Sequence, residues 1–153
     1  MNPLPPLAPL PPLPRDQRKM DADHLKLLAI FHFVGAGLAL MGLLFLLLHF
    51  AIMDTVFENP QMWQHQKSGP PPAEFFMIFK VFYLVLGLWF LLSCVLNIIS
   101  GLCLASRTGR TFSLVVAGLN CVHIPLGTTL GVFTFVVLLR DSVRELYETK
   151  SRG

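Results

Sequence analysis

Residues 112–139 read FSLVVAGLNCVHIPLGTTLGVFTFVVLL, 28 residues without a charge and with Pro125 and Gly127 near the middle. At about 1.5 Å per residue a straight helix of that length covers roughly 42 Å, more than a hydrocarbon core of about 30 Å; two full crossings need about 40 residues. Whether the stretch crosses once or folds back decides the topology of the chain and the side on which its C-terminus lies.

The basic residues around it give one test. Four flank the first apolar stretch (Arg15, Arg18, Lys19, Lys26), one lies in the 54–74 loop (Lys67), two in the 105–111 turn (Arg107, Arg110) and four in the C-terminal tail (Arg140, Arg144, Lys150, Arg152). A single crossing puts six of these inside and five outside; a fold at Ile124-Pro125-Leu126-Gly127 puts ten inside and one outside. Cytoplasmic loops carry the excess of Lys and Arg, so the fold-back is preferred. Each arm is then about 14 residues, or roughly 21 Å, and short of the core thickness. The first arm can begin near Thr108. The second can continue through Arg140 into DSVRELYETK, where Val143, Leu146 and Tyr147 recur at i, i+3, i+4 and suit the inner interface. The expectation is a short hairpin of re-entrant length with its tip at PLGT. Because bare backbone is tolerated at depth only under protein cover, the tip should pack on the other spans.

Outward from this stretch the chain is 54% hydrophobic and 14% charged, with mean hydropathy +0.62. A soluble domain carries nearer a quarter charged residues. The charges here are confined to a few short segments that separate apolar runs, which is the pattern of helices in lipid. The formal charge of +3 sits at the ends of those runs, where orientation and headgroups account for it. No basic face with interleaved aromatics points to nucleic acid.

The first span reads from about Leu27 to Met53, with Asp21 or Asp23 placed to cap a helix starting near His24. Gly35, Ala39 and Gly42 form a small-residue stripe that should face another helix. The 54–74 loop carries the breakers Asn59-Pro60 and Ser68-Gly69-Pro70-Pro71-Pro72, and the aromatics Phe57 and Trp63 suit the interface. The second span reads from about Phe75 to Leu104. Ser93, Asn97, Ser100 and Gly101 share one face, and Asn97 needs a hydrogen-bond partner on a neighbouring helix. Lys80 is expected to reach back to the surface, with Asp54 or Glu58 in range. Residues 2–14, with seven prolines, read as an extended tail and not a signal peptide.

Cys94, Cys103 and Cys121 are the only cysteines, all in apolar segments, and read as small packing residues. Cys121-x-His123 lacks the further ligands a zinc site requires. His49 and His123 both approach the outer leaflet under the fold-back, where paired histidines could ligate a haem between helices, but the preferred reading is structural: His49 is close enough to the surface to be interfacial, and His123 is placed to bond Asn120 or a free turn carbonyl. No catalytic triad and no paired intramembrane carboxylates can be placed, so no enzyme and no cofactor are inferred. In PLGT, proline removes an amide, glycine permits positive φ and the Thr128 hydroxyl is suited to cap the helix that follows. Gly127 and Gly131 make a GxxxG pair, a weak signal for helix association.

The stretch 111–148, TFSLVVAGLNCVHIPLGTTLGVFTFVVLLRDSVRELYE, resembles the C-terminal half of a group of small bacterial multi-pass membrane proteins of unknown function. Their hallmark is similar to F-x-VVAG-x-x-C-x-x-x-P-x-GT-x-LGVFT-x-x-VLL. Phe112, Val115 to Gly118, Cys121, Pro125, Gly127, Thr128 and Leu130 to Thr134 carry the match; the first two spans agree only in general pattern. The resemblance implies four membrane helices with PLGT at the last turn, in the bacterial cytoplasmic membrane, and implies no activity.

The fold expected is all-α: a polytopic membrane helical bundle of four membrane helices (about 24–53, 75–105, 108–124 and 126–148), two long spans plus the hairpin. A Pro-rich disordered tail (1–23) and a short tail (149–153) flank it, and both termini are cytoplasmic. The function expected is structural or accessory, with the lipid bilayer and either further copies of the chain or a larger membrane complex as partners. The alternative is an oligomeric small transporter or channel that uses the broken helix at Pro125. The candidate polar and packing site is Asn97, Asn120, His123, Pro125, Gly127, Thr128 and Gly131.

Overall fold

The computed structural model describes residues 15–64 and 71–151. Its helices are α1 (Arg15–Glu58), α2 (Pro60–Trp63), α3 (Ala73–Ser106), α4 (Arg110–Asn120), α5 (Leu126–Leu138) and α6 (Asp141–Ser151). The proline-rich tail 1–14 and the Ser68-Gly69-Pro70 breaker lie outside the described residues.

α1 and α3 are long and apolar enough to cross a membrane, and they pack antiparallel over most of their length. Leu25, His32, Ala39 and Leu46 recur every seven residues on α1, with Leu28, Gly35, Gly42 and His49 between them; all are buried or half-buried. On α3 the same repeat is Phe76, Tyr83, Phe90, Asn97 and Leu104, with Phe79, Leu86, Ser93 and Ser100 between. A 3.5-residue spacing keeps one seam facing its partner along the whole contact, as in a coiled coil. The register is visible in the pairs across it: Gly35 with Asn97, Gly42 with Phe90, His49 with Tyr83, and Asp54 with Lys80 at 3.2 Å. The small-residue stripe thus faces α3, and Lys80 ends on Asp54.

The 112–139 stretch folds back. Arg110 Nε donates to the Leu138 carbonyl at 2.8 Å, Gly131 lies against the Ala117 carbonyl, and the Thr128 hydroxyl donates to the Cys121 carbonyl at 2.8 Å. These are antiparallel pairs in one constant register, so α4 and α5 form a hairpin with Cys121–Pro125 at its tip. The tip meets α3 through Asn97–Asn120 and Trp89–His123, the cover that backbone at depth requires.

Several expectations are corrected. α1 begins at Arg15, not near His24, so residues 15–23 are helical rather than part of a disordered tail. Asp21 is therefore inside the helix and caps nothing; its buried carboxylate stands 3.7 Å from Arg140 Nη1. α4 stops at Asn120, before residue 124, and the helix expected over 126–148 is broken: α5 and α6 are bent by 72°. The break has a packing cause. Val143 is fully buried, and with Leu146 and Tyr147 it lies on a cluster of Leu25, Leu28, Ala29, Leu104, Val137 and Leu138. α6 turns so that its apolar face closes the base of the bundle, while Arg140 at the elbow reaches Asp21.

Polarity is arranged inversely to that of a soluble protein. The fully buried set includes His32, Ser100, Ser113 and Thr134, whereas Leu44, Phe45, Leu48, Ile78, Phe82, Leu84 and Val85 are exposed. Such a surface is stable only in lipid. The chain is a small multi-pass membrane protein.

Candidate functional site

A cavity of about 630 Å³ opens where the hairpin tip meets the two long helices. α1 contributes Phe31, Val34 and Leu38, α3 contributes Phe90, and α5 contributes Leu130 and Phe133. Five of the seven candidate residues also line it: Asn97, Asn120, His123, Pro125 and Gly127. The volume is that of an ordinary small-molecule site, which is largely apolar with a few convergent polar groups.

Two polar pairs stand at its edge. Asn97 and Asn120 exchange both amide hydrogen bonds, Asn97 Nδ2 to Asn120 Oδ1 at 3.0 Å and Asn120 Nδ2 to Asn97 Oδ1 at 2.8 Å. Asn97 Nδ2 also donates to the Ser93 carbonyl at 2.9 Å. The partner that Asn97 needs is therefore Asn120, and both side chains are buried. In the second pair Trp89 Nε1 donates to His123 Nε2 at 2.9 Å, with the rings stacked at 5.3 Å. An indole N–H can only donate, so His123 Nε2 is the unprotonated nitrogen and the neutral imidazole carries its proton on Nδ1.

Thr128 and Gly131 do not line the cavity; they hold the hairpin together. Thr128 does not cap α5 through its hydroxyl, which bonds across the turn to α4 instead. Gly127 is not at positive φ: among the described residues that backbone occurs at Arg107 (φ 52°) and Gly109 (φ 59°), in the turn before α4. What Gly127 and Gly131 supply is closeness. A Cβ on Gly127 would fall well inside 3.0 Å of the Asn120 carbonyl oxygen, and one on Gly131 equally close to that of Ala117. The GxxxG surface is thus spent within the hairpin.

The histidines are separated. His49 bonds the Tyr83 hydroxyl and stacks on its ring, while His123 is held six residues further along α3 by Trp89. His32 donates from Nδ1 to the Leu28 carbonyl at 3.0 Å; its Nε2, like Ser100 Oγ and Ser113 Oγ, is buried without a partner. Among the described residues no three His, Cys, Asp or Glu side chains are grouped so as to hold a metal ion.

Sequence reasoning missed Trp89 and the Phe31, Phe90 and Phe133 walls. A signal for Trp89 existed: a mid-span indole N–H needs an acceptor, and His123 is a mid-span group whose own partner was open. No family model, no curated protein and no solved structure matches the chain.

Proposed function

We propose that the chain is a structural or accessory protein of the bacterial cytoplasmic membrane, with both termini in the cytoplasm and a re-entrant C-terminal hairpin. The observation that carries the reading is the mutual pairing of the polar groups at the hairpin tip. Asn97 is bonded to Asn120 and His123 to Trp89, and apart from Ser93 and Thr129 the other side chains lining the cavity are apolar, which favours packing over a polar path for an ion or hydrophilic solute. The bacterial assignment rests on the resemblance of residues 111–148. The topology rests on charge: Lys26, Arg107, Arg110, Arg140 and Arg144 gather at one end of the bundle, and cytoplasmic faces carry that excess.

Depth supports the re-entrant reading. The tip meets α3 at Trp89, nine residues short of Lys80, or about 14 Å along the helix axis. Lys80 and Asp54 mark the far boundary, so the hairpin enters from the basic side and turns back inside the core. Beyond it α1 and α3 stand as a pair with bare apolar flanks, including Phe45, Leu48, Phe82 and Val85. In an accessory protein those flanks meet lipid, further copies of the chain or a larger assembly.

The test is a pair of C-terminal fusions, one to a fluorescent protein that matures only in the cytoplasm and one to a phosphatase active only outside it. Fluorescence with an inactive phosphatase is expected; the opposite pattern overturns the topology. Flux of small ions through proteoliposomes at a rate above that of empty vesicles would replace the accessory reading with the transporter one.

A further inference from the structure

We propose that the cavity at the hairpin tip is a binding site for a neutral lipophile whose head is a flat ring bearing carbonyl acceptors, a quinone-type molecule. This goes beyond the accessory reading and requires only that the chain sits in the bilayer. The argument starts from the hydrogen-bond inventory. Trp89 occupies His123 Nε2, which leaves Nδ1–H as a donor with no partner among the described residues. Asn120 Nδ2 has two hydrogens and spends one on Asn97 Oδ1, which leaves a second donor. Both residues line the cavity. Asn97 Oδ1 and Asn120 Oδ1 each accept one bond from the other's amide, His123 Nε2 accepts from Trp89, and the hydroxyls of Ser93 and Thr129 also line the cavity.

The site thus offers two neutral N–H donors that no described residue satisfies, so a head rich in acceptors complements it. A carboxylate or phosphate head needs a cation, and no Lys or Arg among the described residues lines the cavity. A carbonyl accepts from neutral donors and carries no charge, so it fits both conditions. Shape points the same way: Phe31, Phe90 and Phe133 wall the space, and His123 adds a ring already stacked on Trp89. Aromatic walls suit a flat ring through offset and edge contacts. The volume of about 630 Å³ admits a ring and part of an apolar tail, and the rest of the tail has lipid to enter, since Val34, Ile124 and Leu126 at the rim are exposed.

The reporter is built in. Trp63 and Trp89 are the two tryptophans, and Trp63 lies at the far end of the helices, donating to the Phe57 carbonyl. In the full-length W63F protein, reconstituted in phosphatidylcholine nanodiscs, Trp89 is the one tryptophan left, and its bond to the cavity-lining His123 couples its emission to the site. Titration with a decyl-substituted benzoquinone should give saturable quenching, and decylbenzene at equal concentration should displace little of it. His123→Phe keeps a stacking ring and removes the donor; because it also frees the Trp89 N–H, quenching is referenced to the emission of the unliganded variant, and binding should weaken about tenfold, the scale of one hydrogen bond. Val34→Phe adds bulk at the exposed rim without touching a hydrogen bond, and should weaken binding while thermal unfolding stays unchanged. Saturable quenching lost in both variants supports the site. Linear quenching, or saturable quenching displaced equally by decylbenzene and indifferent to His123→Phe, means that bulk acyl chains fill the cavity and overturns it. No quenching, with Trp89 emission that follows the protein-to-lipid ratio, means that a second copy covers the cavity and overturns it as well.

Discussion

Replacing Gly131 by alanine tests the close approach of α4 and α5, with Gly37→Ala as its control. Both glycines lie inside helices, so both substitutions gain the same intrinsic helix preference of alanine, about 1 kcal/mol. They differ in what the new methyl meets. At Gly37 there is nothing within 4 Å. At Gly131 the Cβ falls well inside 3.0 Å of the Ala117 carbonyl oxygen, with Cys121 Sγ and the Cys121 amide beside it. The Cys121 thiol can rotate away. The carbonyl belongs to the backbone of α4 and cannot. Relief therefore requires the two helices to separate by about half an ångström or more, a gap that forfeits a quarter to a half of each dispersion contact across it. Overpacking of this kind costs about 1–3 kcal/mol. Because the propensity gain cancels, that range is the expected stability difference between the two variants. Denaturation by increasing fractions of SDS in mixed micelles, followed by Trp89 emission in the W63F background, measures it. The emission reports hairpin docking directly, since Trp89 is bonded to His123. Gly127→Ala should behave like Gly131→Ala, and Gly35→Ala, whose nearest atom is Asn97 Oδ1 at 3.6 Å, like Gly37→Ala. A Gly131→Ala protein within a few tenths of a kcal/mol of Gly37→Ala would refute the packing assigned to this hairpin.

The Asn97–Asn120 pair should show coupling in a double-mutant cycle: each single leucine variant strands the other amide, and the double variant recovers about 0.6–1.7 kcal/mol of the summed loss. Strictly additive singles would deny that the two amides pair. Arg140→Gln should destabilise more than Arg144→Gln, because Arg140 faces the buried carboxylate of Asp21 while Arg144–Glu148 is an exposed i, i+4 pair worth about 0.3–0.5 kcal/mol; equal effects in thermal unfolding would remove Arg140 from the elbow. At the base of the bundle, burial chiefly pushes the Tyr147 phenol up to about 12, with Cys103 adding to the rise and Arg110 and Arg107 opposing it. The neutral phenol is the form that fits, so the contribution of Tyr147 to α6 docking is fully present below pH 10, the ordinary value, and is lost as pH rises from there through about 12. Proteolytic release of α6 against pH should show this step in the wild type and not in Tyr147→Phe.

What was legible in the sequence was whatever depends on linear order. Spans and loops follow from where charges interrupt apolar runs. The fold-back of residues 112–139 follows from the count of Lys and Arg on either side of Pro125, and the hairpin register bears it out. The stripe Gly35, Ala39, Gly42 was readable as a helix-facing seam, and the Ser93/Asn97/Ser100/Gly101 face as its counterpart, because a repeat of small or polar residues in an apolar helix has no other common use. Helix ends were less readable. The mixed-charge run 15–23 joins α1 because α6 packs against its neighbourhood and Arg140 meets Asp21, contacts more than a hundred residues away in the chain.

Composition and charge order by themselves determined that this is a multi-pass all-helical membrane protein with two long spans and a short hairpin, since lipid forces every apolar run into helix and every charge to an end. Tertiary structure alone decided what each polar or small group does. GxxxG at Gly127 and Gly131 serves equally to join two copies or two arms, and only the register of α4 on α5 assigns it to the arms. Asn120 and His123 are polar wherever they lie; the meeting of the hairpin tip with α3 pairs one with Asn97, gives the other to Trp89, and leaves a largely apolar cavity beside them. Partner choice depends on which faces meet, and one-dimensional pattern carries the existence of a face but not the identity of what lies against it.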